Sequence, residues 1–348
     1  MERTKKPLSV QMKRHSVKPV NEVAEYEGDI SQVISTGSTL LDLEISGGRR
    51  RGGGIPSGIM VEIFGPSGCG KTVVLCEIAG AVQRAGGDIS FKDPEARLNQ
   101  QFARMFDLDT ENMDYSTPNT VTEVFTAIRK WKPKNPKMIN GIFTDSLAAL
   151  STDLEMESED GDKMGMRRAK EFSEELRKTC REIQSKNYLL VCSNQVRQKH
   201  DASKYESKYI SPGGEGIGFY SSLRLRCMSP KKIQQEKIVA GKKVKKVVGV
   251  TTEIEVFKSS VWKPYGHAPL TILFGYGTDD VRQNLQFLKN FTDATKYTVG
   301  GKELAVSMEE SIGIVEREGL IADLKEEVID LWEGIDRKFK QYRQKKVR

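Results

Sequence analysis

The segment at residues 65–72, which reads GPSGCGKT, most constrains what this chain can fold into. An apolar run at residues 60–64 precedes it and predicts a buried strand, and residues 73–84 follow it with apolar side chains at helical spacing. Glycines in such a strand–loop–helix unit let backbone N–H groups face phosphates, and the helix N-terminus adds partial positive charge. The segment therefore predicts a nucleoside triphosphate site with Mg²⁺; the alternative is a glycine-rich turn beside an accidental lysine. The expected contacts are Gly65, Pro66, Ser67, Gly68, Cys69, Gly70, Lys71 and Thr72.

Apolar, strand-like runs alternate with amphipathic stretches from about residue 36 to residue 193. This alternation predicts βαβ units and hence an α/β fold with a mainly parallel sheet covered on both faces. We expect an N-terminal arm at residues 1–33, a core at residues 34–277 and a small α+β domain with a basic tail at residues 278–348.

Composition excludes several classes of protein. The apolar runs are far shorter than the ~20 residues that cross a bilayer, so we expect no membrane partner. The basic N-terminus lacks the apolar core of a secretory signal, and the five cysteines lack metal-ligand spacing, which together favour a cytoplasmic protein.

The net charge is only +7, but basic residues cluster at positions 49–51, 231–246 and 337–348. Each cluster alone fits a solvated turn, whereas three together favour a polyanionic partner. The cluster at residues 231–246 lies between two strand-like runs and predicts a solvated hairpin.

Acidic and amide side chains follow several of the predicted strands. Asp145 comes directly after one strand and is expected to hold Mg²⁺ together with Thr72, although a helix N-cap would also explain it. Asp93 and Glu95 follow another strand, and Glu95 is our candidate for the base that orients the attacking water. Gln195 ends a third strand, where an amide can sense a γ-phosphate and pass the signal to the long loop at residues 196–216.

Several of these motifs share the order and spacing of bacterial RecA recombinase, which this chain resembles over residues 34–274. The matching segments are residues 34–38, 65–72, 93–95, 145–150, 163–165, 193–195 and 213–220. The resemblance implies a RecA-type P-loop ATPase core. It also implies an ATP-dependent DNA recombinase that forms a helical homo-oligomeric filament on single-stranded DNA, pairs it with duplex DNA and exchanges strands.

The resemblance also implies roles for individual residues. Glu95 becomes the water-activating carboxylate, Gln195 the γ-phosphate sensor, and Asn99 and Phe102 the contacts to adenine. Lys258 matches a lysine that reaches the ATP of a neighbouring subunit, while Ser260 stands where a second such lysine is expected, with Lys263 as a substitute. The DNA-binding loops fall near residues 155–165 and 196–216, with contacts expected from Met164, Arg168, Arg197, Gly213 and Gly214.

Two other functions use the same type of core. A ring-forming, helicase-like motor would be expected to carry a large N-terminal domain ahead of the phosphate loop. A recombination mediator that does not hydrolyse ATP would be expected to lack Glu95 or Lys71, and both residues are present.

Overall fold

The computed structural model describes residues 30–157, 164–198, 209–210 and 213–340. Residues 1–29 of the predicted arm and residues 341–348 of the basic tail therefore lie outside the described residues. The strands are β1 (Ile59–Gly65), β2 (Ile89–Lys92), β3 (Asp114–Ser116), β4 (Asn140–Thr144), β5 (Tyr188–Gln195), β6 (Arg197–Gln198), β7 (Tyr209–Ile210), β8 (Leu223–Cys227), β9 (Lys231–Val239), β10 (Lys242–Ser259), β11 (His267–Leu273), β12 (Gly277–Thr278), β13 (Thr298–Val299) and β14 (Lys302–Glu303).

The helices surround a central sheet. They are α1 (Thr39–Ser46), α2 (Lys71–Arg84), α3 (Gln100–Arg104), α4 (Val121–Lys130), α5 (Asp153–Glu157), α6 (Met164–Ser185), α7 (Glu215–Tyr220), α8 (Asp280–Lys289), α9 (Met308–Arg317) and α10 (Ile321–Lys338), with a 3₁₀ turn at Leu147–Ala149. None of the helices in the described ranges combines the length and the apolar character needed to cross a bilayer.

The central sheet joins a parallel half to an antiparallel half. Its strand order is β12-β11-β10-β8-β1-β5-β4-β2-β3, and β9 extends it as the hairpin partner of β10. The pairs from β8 through β1, β5, β4 and β2 to β3 are parallel, whereas β10, β11 and β12 pair antiparallel. The predicted α/β fold with a mainly parallel core is therefore confirmed.

Side chains alternate between two hydrophobic clusters, one on each face of the sheet. In β5, Leu189 and Val191 pack into the cluster that includes α1 and α2, while Leu190 and Cys192 pack against α4 and α6. Because both faces are covered, the central strands β1 and β5 are buried at nearly every position.

The carboxyl ends of the parallel strands meet along one edge of the sheet. Gly65 at the end of β1 lies opposite Gln195 at the end of β5, and Thr144 at the end of β4 pairs with Lys92 at the end of β2. The residues that follow these strands therefore gather on a single edge, as the βαβ pattern predicts.

Residues 280–338 pack against the core through several elements. Val315, Leu324 and Val328 belong to the same buried cluster as α1 and α2, and the Trp332 indole donates to the Glu44 carboxylate at 2.8 Å. A short antiparallel pair, β13 with β14, lies between α8 and α9.

Candidate functional site

The loop at residues 65–72 connects β1 to α2 in the predicted order. Gly70, which precedes α2, has φ +93°, a backbone conformation that favours glycine, and a Cβ there would lie 2.3 Å from Ile272 Cδ1 and force that side chain to shift. The Lys71 ammonium donates to the carbonyl oxygens of Gly65 at 3.0 Å and Pro66 at 2.8 Å. The first N–H groups of a helix have no intrahelical acceptors, so this loop and helix end form an anion-binding concavity.

Thr72 and Asp145 meet directly across the edge of the sheet. The Thr72 hydroxyl donates to Asp145 Oδ2 at 2.7 Å, and the Ser193 hydroxyl donates to the other carboxylate oxygen. Burial raises the pKa of Asp145; the two hydroxyls oppose this rise, and the negative charges of Glu95 and Asp93 add to it. A carboxylate whose charge is disfavoured gains from a nearby cation, and hydroxyl and carboxylate oxygens are the ligands that Mg²⁺ prefers.

Glu95 is held in place from both sides. Its Oε1 accepts the Ser146 hydroxyl at 2.8 Å, and its Oε2 forms an ion pair with Arg97 at 2.7 Å. Only 15% of the Glu95 side chain is exposed. Because Ser146 directly follows Asp145, the candidate base is tied to the residue beside the expected metal ligand.

A cavity of about 400 Å³ opens beside the phosphate loop and brings these groups together. Its polar lining includes Lys71, Thr72, Glu95, Asp145 and Gln195, so five predicted site residues converge on one space. Its apolar walls come from Phe102, Met105, Phe106, Val250, Ile272, Leu273 and Phe274. A space of this size with a polar floor and apolar walls is typical of a small-ligand site.

The two residues expected to contact adenine have different surroundings. Phe102 lines the cavity and packs edge-on against Phe106, with ring centroids 5.0 Å apart. Asn99 lies outside the cavity lining, and its side-chain oxygen accepts the Phe102 backbone N–H at 2.8 Å as the N-cap of α3. The structure therefore gives Asn99 a role in holding Phe102, and its contact to adenine stays a prediction.

Cys69, in the phosphate loop, is fully buried against Cys227 at the end of β8. The hydrogen bond to Cys227 lowers the pKa of Cys69, burial opposes this, and the nearby Lys71 ammonium lowers it further. Because a Cβ on Gly65 would lie 2.4 Å from the Cys227 carbonyl oxygen, β8 and the loop are packed backbone to backbone here.

Gln195 connects the cavity to the second predicted DNA loop. It is exposed at the end of β5, and Arg197 follows it at the start of β6, which pairs with β7. Residues 199–208 and 211–212 of that loop lie outside the described residues. The amide at the cavity and the base of the loop are thus separated by one residue.

Gly213 and Gly214, at the far end of this loop, lie close to α6. Gly213 has φ +97° and its added Cβ would lie 2.3 Å from Ile217 Cδ1, while a Cβ on Gly214 would lie 2.5 Å from that of Ala169. Both glycines therefore allow close approach of the backbone, and their contacts to DNA stay a prediction.

The first predicted DNA loop is bracketed by an ion pair. Arg168 in α6 contacts both carboxylate oxygens of Glu155 in α5, at 3.0 and 3.1 Å. Met164 begins α6, and residues 158–163 lie outside the described residues. Arg168 thus ties the two ends of the loop together, and its predicted contact to DNA is untested.

Lys258 lies away from the cavity of its own chain. Its ammonium donates to the carbonyl oxygens of Gly218 at 2.8 Å and Phe219 at 2.9 Å, at the carboxyl end of α7. Burial lowers the pKa of Lys258, and the Arg224 charge lowers it further. Lys263 instead forms an ion pair with Asp336, so in this chain its charge is engaged by α10.

Sequence reasoning missed four polar residues at this edge of the sheet. Ser193 holds Asp145, Ser146 and Arg97 hold Glu95, and Glu62 anchors Arg224 beneath the phosphate loop. A polar residue inside an otherwise apolar strand was the available signal for Ser193 and Glu62. Ser146 and Arg97 follow predicted acids by one or two residues, but their partners depend on the pairing of separate strands.

A sequence model described as the RecA N-terminal domain matches residues 6–279, which is more than half of the chain. The parallel sheet, the phosphate loop and the acidic residues around it agree with this match. The family is one of P-loop ATPases that generally bind ATP with Mg²⁺, bind DNA and form filaments, so membership indicates a RecA-like recombinase or ATPase role. From its sequence and its fold, the chain belongs to the RecA family.

Proposed function

We propose that this chain is an ATP-dependent DNA recombinase that assembles into a filament on single-stranded DNA and exchanges strands with homologous duplex DNA. The observation that carries the proposal is the convergence of Lys71, Thr72, Asp145, Glu95 and Gln195 on one cavity at the loop-bearing edge of the sheet. Those groups supply the contacts of one chain that bind a triphosphate, orient water and sense the γ-phosphate.

The phosphate loop binds the triphosphate. On binding, Lys71 would exchange the carbonyl oxygens of Gly65 and Pro66 for phosphate oxygens, which are stronger acceptors because they are charged. Thr72 and Asp145 would hold Mg²⁺, which neutralises charge on the β- and γ-phosphates when bound. Phe102 offers an aromatic face for the base.

Glu95 orients the attacking water and accepts its proton. Each carboxylate oxygen has two lone pairs, so Glu95 can keep its contacts to Ser146 and Arg97 while accepting a water O–H. These contacts restrict the rotation of the carboxylate, so less orientation has to be gained in the transition state.

A neighbouring subunit completes the site. Lys258 lies near the end of β10, its ammonium contacts the carboxyl end of α7, and it does not line the cavity of its own chain, so a contact from this lysine to ATP requires a second copy. Repetition of a head-to-tail contact of this kind generates a ring or a helical filament. Hydrolysis is therefore expected to depend on assembly.

Replacement of Glu95 by glutamine tests the catalytic assignment. Glu95→Gln should abolish ATP turnover yet leave ATP-dependent binding to single-stranded DNA intact or tighter, since the ground-state contacts of the triphosphate remain. Lys71→Ala should lose both properties. The matched control is Glu111→Gln, which removes an exposed carboxylate outside the cavity and should leave turnover at the parental rate.

The assays are phosphate release and fluorescence anisotropy of a labelled oligonucleotide. Near-parental hydrolysis by Glu95→Gln would remove Glu95 from the mechanism. If the parental protein bound single-stranded DNA with the same affinity in the presence and absence of ATP, that result would contradict the proposed recombinase function as a whole.

A further inference from the structure

The hairpin of β9 and β10 projects beyond the body of the protein. Residues 234–247 are exposed along both strands, and the strands turn at Ala240 and Gly241, both of which have positive φ. A strand advances about 3.3 Å per residue, so this part of the hairpin is roughly 20 Å long. The sequence predicted a solvated hairpin here, and the lysine-rich segment does pair as two antiparallel strands, with one register shift between Val247 and Gly249.

The lysines of this hairpin are sorted between its two faces. Directly paired residues of antiparallel strands point to the same face. The pairs Lys242 with Val239, Val244 with Lys237 and Lys246 with Gln235 share one face, which we call the lysine face. It carries three lysines and no acidic residue.

The opposite face, which we call the paired face, carries its own counter-charge. Its pairs are Lys243 with Ile238, Lys245 with Glu236 and Val247 with Gln234. Glu236 forms ion pairs with Lys243 at 3.2 Å and with Lys245 at 3.4 Å. Within the described part of the chain, no carboxylate pairs with the three lysines of the lysine face, so their charges stay available.

The hairpin leaves the sheet at the edge that bears the nucleotide cavity. Cys227, at the carboxyl end of β8, pairs with Ile254, and β11 pairs with β10 as far as Gly249, so residues 242–248 of β10 extend past that edge. Val250, at the base of the hairpin, lines the cavity. Three strand spacings separate β10 from β5 and its predicted DNA loop, which is about 14 Å.

On the basis of the proposed function, we propose that the lysine face of the β9–β10 hairpin binds the phosphate backbone of duplex DNA. Three unpaired cations on a narrow two-stranded ribbon complement a polyanion, and a ribbon of this kind fits the major groove of B-form DNA. Single-stranded DNA is assigned to the loops after β4 and β5, so a duplex beside it needs phosphate contacts of its own.

Lysines on an edge strand also have a structural explanation. β9 pairs with β10 alone in the described part of the sheet, and charged residues on such an edge discourage pairing with other chains. If the lysines only prevent pairing with other chains, removing them from either face should have the same effect on duplex affinity. If the lysine face binds a duplex, only the lysines of that face should matter for duplex affinity. A comparison of the two faces therefore separates the explanations.

The experiment compares two double variants on the same strand. Lys242→Gln with Lys246→Gln removes two charges from the lysine face, and Lys243→Gln with Lys245→Gln removes two from the paired face. Affinity for a labelled blunt-ended duplex is measured by anisotropy at several salt concentrations with a slowly hydrolysed ATP analogue, and thermal melting verifies that both variants are folded.

The lysine-face variant should lower the slope of log affinity against log salt by about 1.8, because each neutralised phosphate contributes about 0.9. If the affinity extrapolated to 1 M salt is unchanged, that slope corresponds to a loss of up to about 60-fold at 0.1 M salt. The paired-face variant should keep the parental slope. Equal losses in the two variants, no loss in either, or a loss confined to single-stranded DNA would each overturn the proposal.

Turnover of ATP stimulated by single-stranded DNA is measured on the same preparations. Parental turnover with an unchanged duplex slope in the lysine-face variant would refute the hairpin site and leave the proposed function standing. A parental protein without stimulated turnover would refute the proposed function, while the two duplex slopes would still report on the hairpin.

Discussion

A buried ion pair beneath the phosphate loop should be worth several kcal/mol when only one partner is removed. Glu62 in β1 is fully buried and accepts Arg224 Nε at 2.6 Å and Asn194 Nδ2 at 3.0 Å. The Arg224 guanidinium also lies over the Phe64 ring, 4.5 Å from its centroid. Arg224→Met keeps an unbranched apolar stem but leaves the Glu62 carboxylate without this cation.

The expected cost of Arg224→Met is about 3–5 kcal/mol of unfolding free energy, because an uncompensated charge stays buried. For a core of this size that corresponds to a melting temperature lower by roughly 6 °C or more. Adding Glu62→Gln removes the buried charge and keeps an amide oxygen for Asn194. The double variant should therefore recover at least about 2 kcal/mol relative to Arg224→Met alone.

Urea unfolding of the parent, both single variants and the double variant measures the full cycle. The matched control is Lys243→Met, which removes an exposed cation from the hairpin and should change stability by less than about 0.5 kcal/mol. A cost below about 1 kcal/mol for Arg224→Met, or a double variant no more stable than that single variant, would refute the assignment of Glu62 as a buried carboxylate that depends on Arg224.

Two further predictions concern stability. Gly80→Ala in α2 should destabilise the protein in a thermal melt, since the new Cβ would lie 2.1 Å from the Phe106 carbonyl oxygen. Gly313→Ala in α9, where the nearest atom is the Arg317 guanidinium at 3.5 Å, should stabilise the protein by up to about 1 kcal/mol. Stability changes of the same sign in the two variants would contradict the packing described for these two glycines. Burial raises the pKa of Asp42 to about 6. The folded state therefore holds a proton that the unfolded state loses from about pH 4 upward, so the unfolding free energy should fall as the pH rises to about 6. In urea unfolding across about pH 4–7, Asp42→Asn should remove up to about 3 kcal/mol of that fall. A change in the unfolding free energy that is the same at every pH would contradict this prediction.

The parallel core could be predicted because its physical causes are local. Strands buried on both faces are mostly apolar, as in β1 and the first five residues of β5. The α4 helix begins with the Thr120–Glu123 capping box directly before its amphipathic run. The phosphate loop was equally predictable, since its glycines and lysine are contiguous.

The β9–β10 hairpin was predictable in kind, but the length of its strands was not. A run with seven lysines between residues 231 and 246 suggests a short solvated hairpin, yet valines and isoleucines recur among the lysines and the paired strands extend from Lys231 to Thr251. Cross-strand pairing overrides the low strand propensity of lysine here, because the interspersed valines and isoleucines are β-branched and favour an extended backbone.

Site residues contributed by separate strands were predictable in type but not in partner. Glu95 could be identified as an acid at a strand end, but its bond to Ser146 depends on β2 lying beside β4. The cavity walls at Val250 and Phe274 come from the antiparallel half, whose position next to β8 no local pattern reveals. Long-range pairing therefore sets the limit of what this sequence could show.

The central proposal, a hydrolytic site shared between copies of the chain, is tested most directly by mixing two inactive variants. Glu95→Gln keeps Lys258 for its neighbour, and Lys258→Ala keeps Glu95 in its own cavity. Each variant alone should be inactive with single-stranded DNA, at a total protein concentration where the parent is fully active.

An equimolar mixture should recover about one quarter of the parental rate per protomer, because random head-to-tail assembly places a Glu95→Gln subunit beside the cavity of a Lys258→Ala subunit at about one interface in four. Phosphate release from the mixture, measured beside each variant alone, gives the answer. A mixture no more active than its components would show that Lys258 does not act on a neighbour's ATP, and would contradict the shared site.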